Sequence, residues 1–223
     1  MNSNVLENVR KIAVLRANAL GDYIFSLPAL VALKSAYPQA ELVYMGNRWH
    51  REFLSGRPGP VDRVIVVPED REARGELDGI PSRIATAFFA AMRAESFDLA
   101  LQMHGGGRAS NPFIRELGAR TTIGLRADGA VPLDRNIPYS LFHNEVLRYL
   151  EVARLAGAPP VTVEPEIVVT DGDYRKLHAA CPDLRRPYAV LHPGASDERR
   201  RWPAAKMAAV AQTLAARNIH VYV

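Results

Sequence analysis

The run Ile12-Ala13-Val14-Leu15 passes through Arg16-Ala17-Asn18-Ala19-Leu20-Gly21-Asp22 into residues that repeat at helical spacing, and this stretch narrows the choice of fold most. Four apolar, partly β-branched residues without polar alternation suit a strand covered on both faces. Ile24, Leu27, Leu30, Val31 and Ala32 put one face of a helix against that strand. Pro28 removes one helical hydrogen bond, so the helix is expected either to kink there or to start later. The turn carries Gly21, which permits close approach or unusual dihedrals, and Asp22 at the mouth of the helix. In open α/β sheets ligands bind at the carboxyl ends of strands, where this turn belongs. Asp22 can serve there as a helix cap, as a catalytic carboxylate, or as both.

The same alternation continues along the chain. Glu41–Met45 reads as a second strand, Asn47–Leu54 as a short helix closed by Ser55-Gly56-Arg57-Pro58-Gly59-Pro60, and Val64–Val67 as a third buried strand. Pro68–Gly79 is a charged loop, and Ser82–Ala94 a helix with Ile84, Phe88, Ala91 and Met92 on one face. Phe97–Met103 is a fourth strand running into His104-Gly105-Gly106-Gly107-Arg108. A helix over about Asn111–Leu117, a strand at Thr121–Leu125, an irregular Ala127–Pro138 and a helix over Leu141–Ala156 follow. Strand–helix pairs repeated this way predict a parallel sheet with helices on both faces. Ala158–Pro165 is a stiff, proline-rich connector, which divides the chain into a first domain over 1–160 and a linker plus second domain over 161–223. Beyond it come a helix at Asp171–Ala180, a strand at Tyr188–Leu191, a polar loop, a helix over Pro203–Arg217 and a strand at Ile219–Val223. One strand–helix–strand unit cannot easily cover both faces of a sheet, so the second domain is expected to be incomplete within these residues.

Bulk properties exclude several classes. Of 223 residues, 28 Lys and Arg stand against 24 Asp and Glu, a net charge of +4. That mild excess suits an anionic small molecule or a weak membrane-surface contact and is too diffuse for a nucleic-acid binder. A single cysteine, Cys181, rules out an internal disulfide framework or a thiolate metal cluster. The amino terminus has no basic-then-apolar segment, and the first apolar run is broken by Arg16, Asn18 and Asp22, so a cytoplasmic protein is expected. Zinc spacing, a G-x-S-x-G elbow and a Walker A loop are all missing from the sequence, and no cofactor is expected.

Two further loops leave strands with chemistry in them. His192-Pro193-Gly194-Ala195-Ser196-Asp197-Glu198-Arg199-Arg200-Arg201-Trp202-Pro203 combines glycine, a hydroxyl and three arginines, with Pro203 in the first turn of the helix that follows. Free helix N–H groups and forked guanidinium donors suit a diphosphate, although a solvated basic turn with local caps has the same composition. Gln102-Met103-His104-Gly105-Gly106-Gly107-Arg108 does not spell G-x-G-x-x-G, so its glycines point to close approach rather than dinucleotide binding. His104 fits a structural histidine as well as a catalytic one. His143 and Arg148 can project toward the same strand ends or simply flank a helix.

Taken together, three stretches resemble the heptosyltransferase family of bacterial lipopolysaccharide synthesis, glycosyltransferase family 9. They are Ile12–Asp22 continuing through Pro28-Ala29-Leu30 to Tyr37-Pro38, Asp98–Gln102 with its glycines, and Leu191–Ser196 followed by Arg200-Arg201-Trp202-Pro203. The resemblance implies a GT-B-type α/β fold: a complete N-terminal Rossmann-like acceptor domain with a parallel sheet, and the first part of a second, nucleotide-sugar-binding Rossmann-like domain across a cleft. It implies inverting transfer of a sugar from ADP-heptose or a similar donor to a lipid-linked oligosaccharide acceptor, at the cytoplasmic face of the inner membrane. Asp22 matches the family's general base, and Ser196 and Arg200, with Gly194 and Ala195, match the positions around the donor's phosphates. Asn18, Gly21, Gln102, His104 and Arg108 are the candidate acceptor contacts. The family commonly has lysine at the place of Arg200, and its later Asp-(Ser/Thr)-Gly motif and histidine lie outside these residues, so this stretch alone is expected to be inactive. A GT-B enzyme for another nucleotide-sugar and a non-catalytic binder of anionic glycolipid or nucleotide are the alternatives.

Overall fold

The computed structural model describes residues 6–68, 82–195 and 197–223, with only the backbone of Ser82 and Ile84. Contacts divide the chain into two compact units, one ending at Val168 and the other spanning Val169–Val223. Residues 161–168 thus group with the first unit, where Ile167 packs on its core and the Val168 carbonyl accepts a hydrogen bond from Arg57.

The first unit is a six-stranded sheet between two layers of helices. In chain order it runs β1 (Lys11–Leu15), α1 (Leu20–Ala36), β2 (Glu41–Gly46), α2 (Arg48–Leu54), β3 (Arg63–Val66), α3 (Ser82–Ala94), β4 (Leu99–Gln102), α4 (Ser110–Glu116), β5 (Thr121–Arg126), β6 (Arg135–Pro138) and α5 (Glu145–Leu155). Every neighbouring pair in it is parallel, and the order is β3-β2-β1-β4-β5-β6. This is the doubly wound order, which reverses direction between β1 and β4.

Strand residues alternate strictly between two cores. Ile12, Val14, Leu42, Tyr44, Leu99, Leu101, Ile123 and Leu125 join residues of α1 and α5 on one face. Ala13, Leu15, Val43, Met45 and Ala100 join Met92, Phe113 and Ile114 of α3 and α4 on the other. Two covered faces explain why the central strands read as unbroken apolar runs.

Helix α1 begins at Leu20 and contains Pro28, so the later start considered from the sequence does not occur. An interior proline costs about 3 kcal/mol. Burial of Tyr23, Leu27, Leu30 and Leu33, each contributing about 2 kcal/mol, outweighs that cost.

Other expectations need correction. β3 lies at the sheet edge and only Ile65 is buried, so it is not a buried strand. Residues 135–138, expected to be irregular, form the opposite edge strand, whose short polar sequence carries no alternation to reveal it. Helix α5 starts at Glu145 rather than Leu141 because the Asn144 carboxamide accepts the N–H groups of Val146 and Leu147. Leu141 and Phe142 stand out in solvent instead, Phe142 at 101% exposure. The loop expected over Pro68–Gly79 falls, after Pro68, outside the described residues.

The second unit comprises α6 (Asp171–Ala180), β7 (Tyr188–Val190), a 3-10 turn at Glu198–Arg200, α7 (Ala204–Ala215) and β8 (His220–Tyr222). β7 and β8 pair in parallel. None of its described residues is buried. Pro203 proves to be the residue before α7 rather than part of its first turn.

Candidate active site

The β1–α1 and β4–α4 loops lie side by side at the carboxyl end of the sheet, because Leu15 and Gln102 are register partners. This is where the strand order reverses, the usual ligand crevice of such a sheet.

The backbone from Arg16 to Ala19 is held by several side chains. Arg16 N–H donates to the Met45 carbonyl at 3.1 Å, and the Arg16 carbonyl accepts from the Tyr44 hydroxyl at 2.5 Å. Ala17 donates its N–H to His104 Nδ1 at 3.1 Å and accepts from Asn47 Nδ2 at 2.9 Å. Ala19 N–H donates to Asp22 Oδ2 at 3.0 Å, one half of a capping box. The loop is therefore preorganised by β2, α2 and β4 together.

Asp22 sits in the first turn of α1, and its other oxygen, Oδ1, accepts from Arg16 Nη2 at 2.5 Å. Arg16 is only 4% exposed, whereas the Asp22 side chain keeps 30% of its surface open. The same Nη2 lies 3.6 Å from Glu145 Oε2 at the start of α5. Glu145 accepts from Arg148 Nη1 at 2.5 Å and from the Tyr149 hydroxyl. Burial pushes the Tyr149 phenol well up, beyond the lowering effect of Arg16, so it remains a donor. The Tyr149 ring also lies 5.1 Å from the Arg16 guanidinium, within cation–π range. Arg148, 2% exposed, further donates to the carbonyls of Ser140 and His143 and covers the Tyr139 ring. Two buried guanidinium groups are thus interleaved with two partly open carboxylates.

Histidine 104 is held neutral: burial, aided by Arg16, lowers its pKa to about 4. Accepting the Ala17 N–H places its proton on Nε2. Gln102 is fully buried, with its amide donating to the His104 and Gly105 carbonyls and to Ser110 Oγ, and its oxygen accepting from Leu125 N–H. The expectation that Gln102 meets an acceptor is corrected on this point: its polar atoms are used inside the protein, where they shape the glycine loop. Asn18 and Gly21 are at the surface of the β1–α1 turn, and a Cβ on Gly21 would meet nothing within 4 Å. Arg108 is exposed and donates to the Asp128 carbonyl at 3.2 Å. At Gly107 the backbone has φ +89° and a Cβ would fall 2.6 Å from the Leu125 carbonyl, so glycine is required there.

In the second unit the loop after β7 sorts its arginines. Arg199 closes on Asp197, whose carboxyl is thereby held below its usual range, and Arg201 donates to the Ala195 carbonyl at 2.7 Å. Arg200 is exposed; its N–H donates to the Asp197 carbonyl at 3.0 Å, and its guanidinium makes no hydrogen bond or ion pair with another described residue. Gly194 is exposed and Ala195 partly so, while Ser196 lies outside the described residues.

The model of glycosyltransferase family 9 (heptosyltransferase) matches residues 85–223, more than half of the chain. The chain belongs to glycosyltransferase family 9. The lipopolysaccharide core heptosyltransferase OpsX of Haemophilus influenzae is 23% identical over 224 residues, covering 96% of this chain and 60% of that protein. Among solved structures, a family 9 glycosyl transferase from Veillonella parvula matches with a TM-score of 0.72 and 18% identity, over 98% of this chain and 64% of that one. The ADP-heptose LPS heptosyltransferase II of E. coli matches with a TM-score of 0.67 and 21% identity, over 95% and 63%. The chain therefore spans less than two thirds of the length of these relatives, and its fold is the GT-B-type α/β fold that they share. Among the described residues no helix is long and apolar enough to cross a membrane, and no group of three or more His, Cys, Asp or Glu residues could hold a metal ion.

Glu145, Tyr149, Asn47 and Tyr44 of this family 9 chain join the site only in the folded structure. Glu145 carried the one usable signal, an acidic residue in the first turn after an asparagine cap and three positions before Arg148. The contacts of Tyr149 with Arg16, of Asn47 with Ala17 and of Tyr44 with Arg16 are tertiary, and no local pattern encodes them.

Proposed function

We propose that the first unit holds the sugar acceptor and that the loop after β7 contacts the diphosphate of a nucleotide-sugar, in an inverting transferase that moves heptose from ADP-heptose to a lipopolysaccharide-core hydroxyl. The observation that carries this reading is Asp22: a partly open carboxylate at the point where the strand order reverses, fixed by Arg16 and the Ala19 N–H on a braced loop. Family membership supports the transfer chemistry, and the name of the E. coli neighbour supports ADP-heptose as donor.

In this reading the acceptor hydroxyl oxygen forms a bond to the anomeric carbon of the donor while its proton passes to Asp22. The bond from that carbon to the diphosphate oxygen breaks, and ADP leaves with the electron pair. A single displacement inverts the anomeric centre. Arg200, Ser196 and the backbone at Gly194 and Ala195 stabilise the negative charge on the departing diphosphate. Asn18, Gly21, His104 and Arg108 line the acceptor side, and a lipid-linked acceptor places the work at the cytoplasmic face of the inner membrane.

The test is Asp22→Asn in the full-length protein, assayed with ADP-heptose and a heptose-free lipopolysaccharide core. A fall of about 10²-fold or more in kcat is expected from loss of a general base. Transfer near the parental rate overturns the assignment. A larger thermal shift with a UDP-sugar than with ADP-heptose would replace the donor.

A further inference from the structure

We propose that Glu145 is a second functional carboxylate of this site, a positioning residue that holds the Arg16 guanidinium when Asp22 takes up the acceptor's proton. The inference rests on the reading of Asp22 as the base and extends it to the buried charge behind that residue.

Arg16 has two anions within reach among the described residues. Asp22 Oδ1 is at 2.5 Å and Glu145 Oε2 at 3.6 Å, both from the same Nη2. Its Nε is buried and has no hydrogen-bond partner among the described residues, so the guanidinium is already under-satisfied. Once Asp22 carries a proton it is neutral, and a cation with 4% of its surface exposed has lost its nearer counter-ion. An unpaired buried charge is strongly unfavourable. Glu145 answers this without rearrangement, since its carboxylate already lies within ion-pair distance.

The surroundings of Glu145 suit that task. Arg148 Nη1 fixes Oε1, and the Tyr149 hydroxyl donates to Oε2, the oxygen that faces Arg16. Tyr149 also presents its ring to the same guanidinium, 5.1 Å from it. If Glu145 served only to neutralise Arg148, an oxygen at 3.6 Å from Arg16 and a tyrosine touching both partners would have no use.

The experiment is steady-state transfer by the full-length protein carrying Glu145→Gln, with ADP-heptose and heptose-free lipopolysaccharide core. The expected result is a kcat lowered about 10- to 100-fold, with KM for both substrates within about twofold, since the loss falls on the transition state. A kcat within about twofold of the parent in a folded variant overturns the proposal, as does a change confined to KM. Should Glu145→Gln fail to fold, Tyr149→Phe decides: it removes the hydroxyl from Oε2 and is expected to lower kcat about three- to tenfold at unchanged KM, and a parental kcat overturns the proposal. Asp22→Asn measured alongside separates the two failures. Parental activity in Asp22→Asn removes the base assignment itself, whereas a large loss there with none in Glu145→Gln or Tyr149→Phe removes Glu145 alone.

Discussion

Gly21 and Gly107 show what single residues contribute here, and they differ in kind. Gly107 has a left-handed backbone and no room for a Cβ beside the Leu125 carbonyl, so the fold itself requires it. Gly21 lies in the first turn of a helix with open space where a Cβ would go. Alanine there should favour α1 by about 0.5–1 kcal/mol, because glycine is the poorer helix former. The absence of a side chain beside Asp22 thus serves no packing need, and it leaves the backbone open to approach. Gly21→Ala is therefore expected to raise the melting temperature slightly while lowering kcat/KM for the acceptor. Calorimetry with acceptor-titration kinetics checks both signs, and a variant that gains stability with unchanged kcat/KM contradicts the acceptor contact.

Among elements, the β1–α1 loop is positioned from outside itself. Asn47 begins α2 and donates to the Ala17 carbonyl, while its own N–H goes to the buried His50. Asn47→Ala removes the side-chain bond to the Ala17 carbonyl, a loss of about 1 kcal/mol. Because the loop also carries Asp22 at its end, kcat is expected to fall with stability, and restoration of the melting temperature by salt or ligand should leave the kcat deficit in place. Differential scanning fluorimetry with initial-rate kinetics tests this.

These elements also mark where sequence reading stops. The buried strands, α1, α3 and the position of Asp22 on a strand–turn–helix were legible, because unbroken apolar runs and helical spacing are local signals. β6 was not, since Arg135-Asn136-Ile137-Pro138 is short, polar and half-exposed at an edge. The start of α5 was set by one Asn144 cap against a misleading apolar pair, Leu141-Phe142, that turned out to face solvent. Gln102 enters the candidate acceptor contacts through the family resemblance; only the closure of the glycine loop over it shows its inward role. The association of Arg16 with Glu145 spans most of the first unit in sequence and arises from α1 and α5 packing on the same face.

At the scale of the whole molecule, acid stability belongs to the first unit, since the second has no buried residue to lose among those described. His50 is fully buried, accepts the Asn47 N–H on Nδ1, and leaves Nε2 without a partner among the described residues; burial lowers its pKa to about 4. His104 is lowered to about 4 as well, chiefly by burial. Above the ordinary value of 6.5 both are neutral whether folded or unfolded, and they cost nothing. As pH falls from 6.5 to about 4 the unfolded chain binds protons that the folded chain refuses, so stability is lost across that window and not below it. Each histidine accounts for at most about 3 kcal/mol. Together, at about 6 kcal/mol, they reach the lower part of the roughly 5–15 kcal/mol that a domain typically has at neutral pH. Glu95 acts in a lower window: Arg63 and then Lys11 hold it at about 2, so its contribution is present above 4.5 and is lost as pH falls from there. Urea unfolding of the first unit, followed by far-UV circular dichroism, should show a stability that drops steeply between pH 6.5 and 4 and continues to fall more gently below. His50→Gln keeps an oxygen for the Asn47 N–H and removes one titrating group. It is expected to be less stable at pH 7.5 through lost packing, yet to show a visibly flatter profile between pH 6.5 and 4. An unchanged slope in that window would mean that the neutral, buried state of His50 is not what ties the fold to pH.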